Sequence, residues 1–303
     1  MDLGIALPHV GPHASREAIV RVAQEAERLD YGAVWVLERL LRPTFPIPQP
    51  RGGAGLMPEA YAVVYEPIET LVYVAAKTER IRLGTSVIDA LFHAPVVLAK
   101  RFAALDQFSG GRAIAGLGQG ATEPEFETAN VPMKRRGAGF EEFIRALKAA
   151  WGPDPVKFEG RFYKIPESQI NPKPVQPGGP PIIIGGRSPA AIERAARLAD
   201  GLNPVLFAWS PFEQIVTAFR DAARAAGRDP GQLQIVVRAN VTPGREAETG
   251  AHPPLTGSMA QVAADLARLR GLGVSHVFWD MNFAATSVDE QLRLLEPLRK
   301  ALG

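Results

Sequence analysis

The feature of this 303-residue chain that most limits its fold is a regular alternation of short β-branched segments with segments of helical periodicity. In the helical segments apolar residues recur three and four positions apart, so they share one face of a helix. Strands that alternate with helices usually form a parallel sheet wrapped by helices. The predicted strands are Leu3–Leu7, Val34–Leu37, Ile81–Val87, Ala113–Ala115, Ile182–Ile184, Leu202–Val205, Leu233–Val241 and Val274–Asp280.

Eight predicted strands and eight predicted helices favour a (β/α)8 TIM barrel that occupies residues 1–303 as one domain. The alternative is an open, doubly wound sheet, which usually carries the glycine pattern GxGxxG after a strand. The segment 116–121 is GLGQGA and lacks the third glycine of that pattern. We expect no helix to open after it, because Pro124 and polar residues follow. This weakens the open-sheet alternative.

Eleven of the 27 prolines lie in two stretches, at 43–58 and 166–181. Proline fixes φ and donates no backbone hydrogen bond, so neither stretch suits the interior of a helix or a central strand. The first stretch is predicted to be a long loop after the second strand. The second lies in an insertion before strand five, at roughly 152–180, with a predicted hairpin that turns at Glu159-Gly160.

Composition excludes several classes of function. The absence of cysteine rules out thiolate nucleophiles and thiolate metal sites. The net charge is +2 and both signs are interspersed, so no basic stripe indicates binding to nucleic acid. The sequence has no run of 18 apolar residues and no basic leader, so no membrane contact is predicted. We therefore expect a cytoplasmic protein. No metal site is expected either, because metal-ligand spacing is absent among His9, His13, His93, His252 and His276.

Functional residues of a TIM barrel lie at the carboxyl ends of its strands. Strand five ends in Gly185-Gly186-Arg187-Ser188, where Ser188 is a predicted N-cap and Pro189 opens a helix. The free amides at such a helix start, together with the arginine, favour an anion such as phosphate. An ordinary tight turn between strand and helix explains the same residues equally well.

Strand four is followed by Gly116, Gly118 and Gly120. Glycines allow bare backbone to approach a flat or bulky ligand at the barrel mouth. A plain cluster of loop glycines is the alternative.

The other candidates at the mouth are ionisable. Glu38 and Arg39 end strand two, and they are either ligand contacts or a salt-bridged pair in a loop. His9 and His93 follow strands one and three, and each could equally be a packing residue.

Several longer segments resemble one family. These are YGAVWVLERLLRP, TERIRLGTSVIDALFHAPVVLAKRFAALDQFSGGRAIAGLGQG, FEGRFYKI, NPKPVQ and PPIIIGGRSPAAIERAARLADG. Together they are similar to the luciferase-like monooxygenase superfamily, and most closely to its coenzyme F420-dependent oxidoreductases. The resemblance extends to about residue 205.

The resemblance implies a (β/α)8 barrel that binds coenzyme F420, or alternatively FMN, at its mouth. It implies that the cofactor phosphate lies on Gly185, Gly186, Arg187 and Ser188, and that the loop 116–120, which includes Gln119, runs beside the ring system. In F420-dependent members the third strand ends in a bulge with a cis peptide bond. That bond would join Ser86 and Val87.

The chain departs from many relatives where they carry Asp-His after the second strand, because it has Glu38-Arg39. An arginine is always protonated and cannot shuttle a proton, although it can stabilise an anion. We expect Arg39 to act electrostatically, held by Glu38. The proton role would pass to Glu38, His9 or His93.

These expectations combine into a function. The resemblance implies hydride transfer between F420 and a small organic substrate whose identity the sequence does not reveal. One alternative is an FMN-dependent monooxygenase that uses reduced flavin and oxygen, and another is a non-catalytic flavin- or deazaflavin-binding protein. The apolar helical segments at 67–79 and 95–108 are candidates for a homodimer contact.

Overall fold

A closed barrel of eight parallel strands forms the centre of the computed structural model, which describes residues 1–48, 52–244, 253–284 and 286–303. Each strand pairs with the next along the chain, and the last pairs with the first, so that Asp2 lies opposite His276. This confirms the predicted TIM barrel. The strands are β1 Asp2–Ala6, β2 Ala33–Val36, β3 Arg82–Thr85, β4 Ala113–Gly118, β5 Ile182–Gly185, β6 Gly201–Asn203, β7 Gln234–Ala239 and β8 His276–Trp279.

Within the described residues nine α-helices surround the barrel, and eight of them correspond to the predicted helical segments. Among these described helices, the one that was not predicted is α4, Glu123–Thr128, which begins directly after the glycine loop. The expectation that no helix opens there was wrong because Pro124 lies in the first turn, where a helix does not need its missing N–H. The helices are α1 Arg16–Arg28, α2 Pro67–Ala75, α3 Pro95–Ser109, α4 Glu123–Thr128, α5 Ala138–Trp151, α6 Pro189–Leu198, α7 Trp209–Ala225, α8 Met259–Gly271 and α9 Val288–Ala301.

Side chains fill the barrel interior near its amino-terminal end. The rings of Trp35 and Phe278 stack with their centroids 4.8 Å apart, and the Trp35 indole donates a hydrogen bond to His276 Nε2. A Cβ at Gly84 would collide with the Trp35 ring, so glycine makes room for the indole. The barrel is therefore a packed core at this end, and its mouth is at the other.

The insertion before β5 has the predicted form. Val156–Glu159 and Lys164–Ser168 pair as an antiparallel hairpin. The Asp154 carboxylate accepts hydrogen bonds from the backbone of Ile170 and from the side chains of Asn171 and Lys173, and these bonds tie the hairpin base to the chain that returns to the barrel.

The proline-rich loop at 43–58 forms only a short strand pair between Ile47–Pro48 and Ala54–Gly55, and its residues 49–51 lie outside the described part of the chain, as does His252. No helix in the described ranges is long and apolar enough to cross a bilayer. Tyr73 on α2 and Val97 and Phe108 on α3 are exposed, and homodimerisation through these helices stays a prediction.

Candidate functional site

The end of β3 is fixed by neighbouring strands. The Ser86–Val87 peptide bond, which the resemblance singled out, is cis. The Ser86 amide donates to Val36 O at 2.6 Å, its hydroxyl donates to Asn203 Oδ1 at 2.6 Å, and its carbonyl accepts from Arg238 Nη1 at 2.8 Å. Bonds to β2, β6 and β7 therefore hold this segment in place.

Three of the predicted cofactor glycines border the same segment. A Cβ at Gly116 would collide with Thr85 O, one at Gly118 would lie 2.6 Å from Val87 Cγ2, and one at Gly185 would lie 2.8 Å from Val87 Cγ1. Only glycine allows β4 and β5 to approach the end of β3 this closely. The three glycines thus place residues 85–87 against the backbone of the two following strands.

The loop after β4 is anchored at both of its remaining predicted residues. Gly120 has a φ of 78° and donates its amide to Asp89 Oδ1 at 3.1 Å. Gln119 accepts a hydrogen bond from the amide of Gly137, directly before α5, at 3.0 Å. The loop therefore has one conformation set by contacts on each side.

The junction of β5 and α6 matches its predicted local structure. Ser188 caps α6 and accepts a hydrogen bond from the Ala191 amide at 3.3 Å, and Pro189 opens the helix. Gly186 has a positive φ of 153°. The Arg187 side chain is exposed and makes no hydrogen bond or ion pair within the described ranges. A helix start with free amides and an unpaired arginine can bind an anion.

Glu38 and Arg39 each contact a different partner at the mouth, and the expected pairing of Glu38 with Arg39 is not present. Arg39 Nη1 donates to Glu125 Oε2 at 2.6 Å, while Glu38 Oε1 lies 2.7 Å from His93 Nε2. Residues 38 and 39 follow the end of β2, and their side chains meet different partners. The expectation that Glu38 holds Arg39 was wrong.

Glu125 is a site residue that sequence reasoning missed. It is fully buried, its Oε1 accepts the Leu40 amide at 3.0 Å, and its Oε2 also accepts the Thr122 hydroxyl. Burial lowers the pKa of Arg39, but the charges of Glu125, Tyr61 and Asp89 and the hydrogen bond to Glu125 together outweigh it, so the pKa is raised. The available signal was an acid shortly after the glycine loop, and the assumption that no helix opens there concealed it.

Arg39 is only partly satisfied by this pair. Its guanidinium lies 4.8 Å from the centre of the Tyr61 ring. Nε is buried and has no hydrogen-bond partner in the described chain, and Nη2 makes no hydrogen bond to the described residues. Two of its three nitrogens therefore have no hydrogen-bond partner among the described residues.

Asp89 is a second missed residue. It is buried between the ends of β3 and β4, and its amide donates to Glu38 Oε2 at 2.8 Å. The pKa of Asp89 is raised to about 7, chiefly by burial. The Arg39 guanidinium opposes this rise, and the charges of Glu38 and Glu125 contribute to it. A carboxyl group that titrates near neutrality in a cluster of charges is typical of functional sites.

His9 and His93 differ in what they leave available. His9 is fully buried, its Nδ1 donates to Leu7 O at 2.9 Å, and its Nε2 accepts the Leu37 amide at 2.8 Å. Burial lowers the pKa of His9. Both ring nitrogens are used to join the ends of β1 and β2, whereas His93 contacts Glu38 through one nitrogen only.

The C-terminal strands contribute a network that the sequence did not suggest. Arg238 on β7 donates to Asp280 Oδ2 at 2.6 Å and to Asn240 Oδ1 at 2.8 Å, besides its bond to the Ser86 carbonyl. The Asn282 side chain donates to Asp280 Oδ1 at 2.9 Å. Within the described ranges no group of three or more histidine, aspartate or glutamate side chains could hold a metal ion.

A family model for luciferase-like monooxygenases matches residues 1–253 of the chain. This chain belongs to the luciferase-like monooxygenase family. An uncharacterized protein of Mycobacterium tuberculosis is 33% identical to this chain over 225 residues, which cover 71% of this chain and 77% of that protein.

Relatives with named activities match shorter parts. F420-dependent glucose-6-phosphate dehydrogenase of Kineococcus radiotolerans is 34% identical over 181 residues, 57% of this chain and 52% of that enzyme. FMNH2-dependent dimethylsulfone monooxygenase of Pseudomonas putida is 35% identical over 128 residues, 41% of this chain and 35% of that enzyme.

Solved structures show the same fold. A monooxygenase from Streptomyces bottropensis has a TM-score of 0.79 at 24% identity and covers 100% of this chain and 98% of its own. The coenzyme F420-dependent tetrahydromethanopterin reductase of Methanopyrus kandleri has a TM-score of 0.76 at 18% identity, and the match covers 99% of this chain and 97% of the reductase chain.

Proposed function

We propose that this luciferase-like barrel is an F420-dependent oxidoreductase that transfers a hydride between bound deazaflavin and a small organic substrate at the mouth. The observation that carries the proposal is the contact between Gly185 and Val87. It joins the anion-binding start of α6 to the segment after β3, so that one continuous surface can take a phosphate at one end and a ring system at the other.

The residues fit such a cofactor. Gly185, Gly186, Arg187 and Ser188 would hold the phosphate, because this helix start offers free amides and an arginine with no partner in the described chain. Ser86 and Val87 would support the ring, with Gly116, Gly118, Gln119 and Gly120 beside it. The deazaflavin would supply the two-electron carrier, and the protein would supply orientation and electrostatics.

The chain's own side chains would act on the substrate. Nη2 of Arg39 makes no hydrogen bond to the described residues, so it could donate to a substrate oxygen or stabilise negative charge. Glu38 holds His93 through a 2.7 Å contact, and this pair could exchange a proton with solvent. Buried Glu125 fixes the position of Arg39.

An FMN-dependent monooxygenase is the second candidate. It is favoured by the 35% identity to the dimethylsulfone monooxygenase of Pseudomonas putida. Both cofactors carry a phosphate on the ribityl chain of the ring system, so the start of α6 suits either one. The choice between them depends on the ring and on the tail beyond the phosphate.

Titration of the purified protein with F420 and with FMN, each followed by cofactor fluorescence, tests the proposal. We expect F420 to bind at least about tenfold more tightly than FMN, a difference of about 1.4 kcal/mol. Submicromolar binding of FMN without binding of F420 would replace the first candidate by the second. Bound F420 that no acceptor in a broad panel reoxidises after reduction would favour a binding protein over an enzyme.

A further inference from the structure

Glu38 and Arg39 follow β2 at the mouth, and the proposed hydride transfer there also needs a residue that donates a proton. Arg39 is fixed as a cation by Glu125 and does not release a proton. Both ring nitrogens of His9 are bonded to backbone. Glu125 is paired with Arg39 and Asp280 with Arg238, so the candidates left among the acids and bases described above are Glu38, His93 and Asp89.

Asp89 is placed beside the proposed ring position. Its Oδ1 would lie 3.0 Å from a Cβ at Gly118, and the same Cβ would contact Val87 at 2.6 Å. Its carboxylate therefore lies against the two residues that would border the ring. Glu38 and His93 bond to each other, whereas Oδ2 of Asp89 makes no hydrogen bond to the described residues.

The surroundings of Asp89 favour a retained proton. Only one hydrogen bond from the described chain, the Gly120 amide, supports its ionised form. Glu38 approaches from the end of β2 and Glu125 from α4, while Arg39 opposes them and His93 is paired with Glu38. Three carboxyl groups around one guanidinium hold a proton more readily than three separated ones.

We propose that Asp89 is the residue that exchanges the reaction's proton with the substrate. The inference rests on the proposed function, because it takes reduced F420 as the hydride donor. In the reductive direction a hydride adds to the carbon of a polarised double bond in the substrate. The electron pair of that bond moves to its heteroatom, and the heteroatom takes the proton from Asp89. Reduced F420 would supply the hydride and its two electrons, and Asp89 would be left as a carboxylate.

Infrared spectroscopy of the cofactor-free protein tests the first requirement. The wild type should show a carboxylic-acid band at pH 5.5 that is absent in Asp89→Asn and disappears as the pH rises through about 7. The control is Asp106→Asn. Asp106 is a buried carboxylate on α3 that accepts hydrogen bonds from Gln176, and its replacement should leave the band in place. A wild type without the band at pH 5.5 overturns the proposal.

The second requirement is kinetic. Reduced F420 is supplied with acetophenone or 2-cyclohexenone, and the rate should fall about tenfold per pH unit above about pH 7. In Asp89→Asn the rate should fall about 10²- to 10⁴-fold and should no longer depend on pH in this range. Asp89→Glu should keep part of the rate and part of the pH dependence. If Asp89→Asn does not fold by circular dichroism, Asp89→Ser replaces it.

The outcomes separate the two proposals. Unchanged rates and an unchanged pH profile in Asp89→Asn overturn the role of Asp89. A wild type that binds F420 but reduces neither acceptor also counts against it. Failure of F420 to bind overturns the proposed function instead, and the infrared titration is unaffected, because it needs no cofactor.

Discussion

At the amino-terminal end of the barrel the Arg112 guanidinium makes five hydrogen bonds, to Ser109 O, Ala75 O, Ile81 O and both oxygens of Thr78. At the mouth, Arg39 makes one hydrogen bond to the described residues and Arg187 makes none. The first arrangement uses every donor to satisfy backbone and a buried hydroxyl, which stabilises the fold. The second leaves donors for a ligand, and this difference marks the mouth as the functional end.

The largest effect on stability should follow from replacing Arg112, whose hydrogen-bond donors are all used. We expect Arg112→Ala to lower the free energy of unfolding by about 3–5 kcal/mol, because four buried carbonyl groups lose a donor. Urea denaturation measures this change in the free energy of unfolding. Arg80→Ala, which removes an exposed arginine nearby, should change stability by less than about 0.5 kcal/mol. Equal effects of the two substitutions would contradict the role given to Arg112.

The backbone contact at the mouth should be nearly as sensitive. Gly116→Ala drives a Cβ into Thr85 O, and neither backbone can move without shifting its strand. We expect a loss of about 3 kcal/mol in unfolding experiments. The control is Gly271→Ala at the end of α8, where nothing lies within 4 Å and stability should rise by up to about 1 kcal/mol. A neutral Gly116→Ala would show that the end of β3 is not tightly packed.

The two ends should respond to pH in opposite directions. Burial lowers the pKa of His276, at the amino-terminal end, to about 3 from 6.5. Between pH 6.5 and 3 the unfolded chain binds a proton that the folded chain does not, so stability falls with falling pH by about 1.4 kcal/mol per unit. His276→Gln should remove this acid dependence from urea titrations. An unchanged dependence would mean that other groups cause it.

Asp89 gives the reverse dependence at the mouth. Its pKa is about 7 in the folded chain and 3.8 for an unperturbed aspartate, so between those values unfolding releases a proton and stability falls as pH rises. Asp89→Asn should therefore gain stability over the wild type as the pH rises from about 4 to 7, with no further gain above. A difference that does not change with pH would contradict the raised pKa.

The smallest effect on stability should come from Arg187, the arginine that we propose to contact the cofactor phosphate. Arg187→Ala should leave the free energy of unfolding within about 0.5 kcal/mol of the wild type, because the side chain is exposed. The affinity for F420 or FMN should nevertheless fall about tenfold, since a charged hydrogen bond to phosphate is lost. The matched control is Arg80→Ala, which should not change cofactor affinity.

Local patterns in the sequence were sufficient for the barrel and for the capped start of α6. The apolar periodicity located all eight strands, and Ser188-Pro189 is recognisable because capping depends on neighbours in the chain. Arg39 and Glu125 are 86 residues apart, and no local rule pairs them. The helix α4 that carries Glu125 was missed because Pro124 was taken as a breaker and not as an opening residue.

The sequence by itself determined the alternation, the barrel and the residues at its strand ends, because these depend on periodicity and on chain direction. Only the tertiary structure decided that Glu38 pairs with His93, that Glu125 holds Arg39 and that Asp89 is buried among them. The physical reason is that charge pairing and burial depend on which strand ends meet in space. Closure of the barrel brings together groups that are distant along the chain.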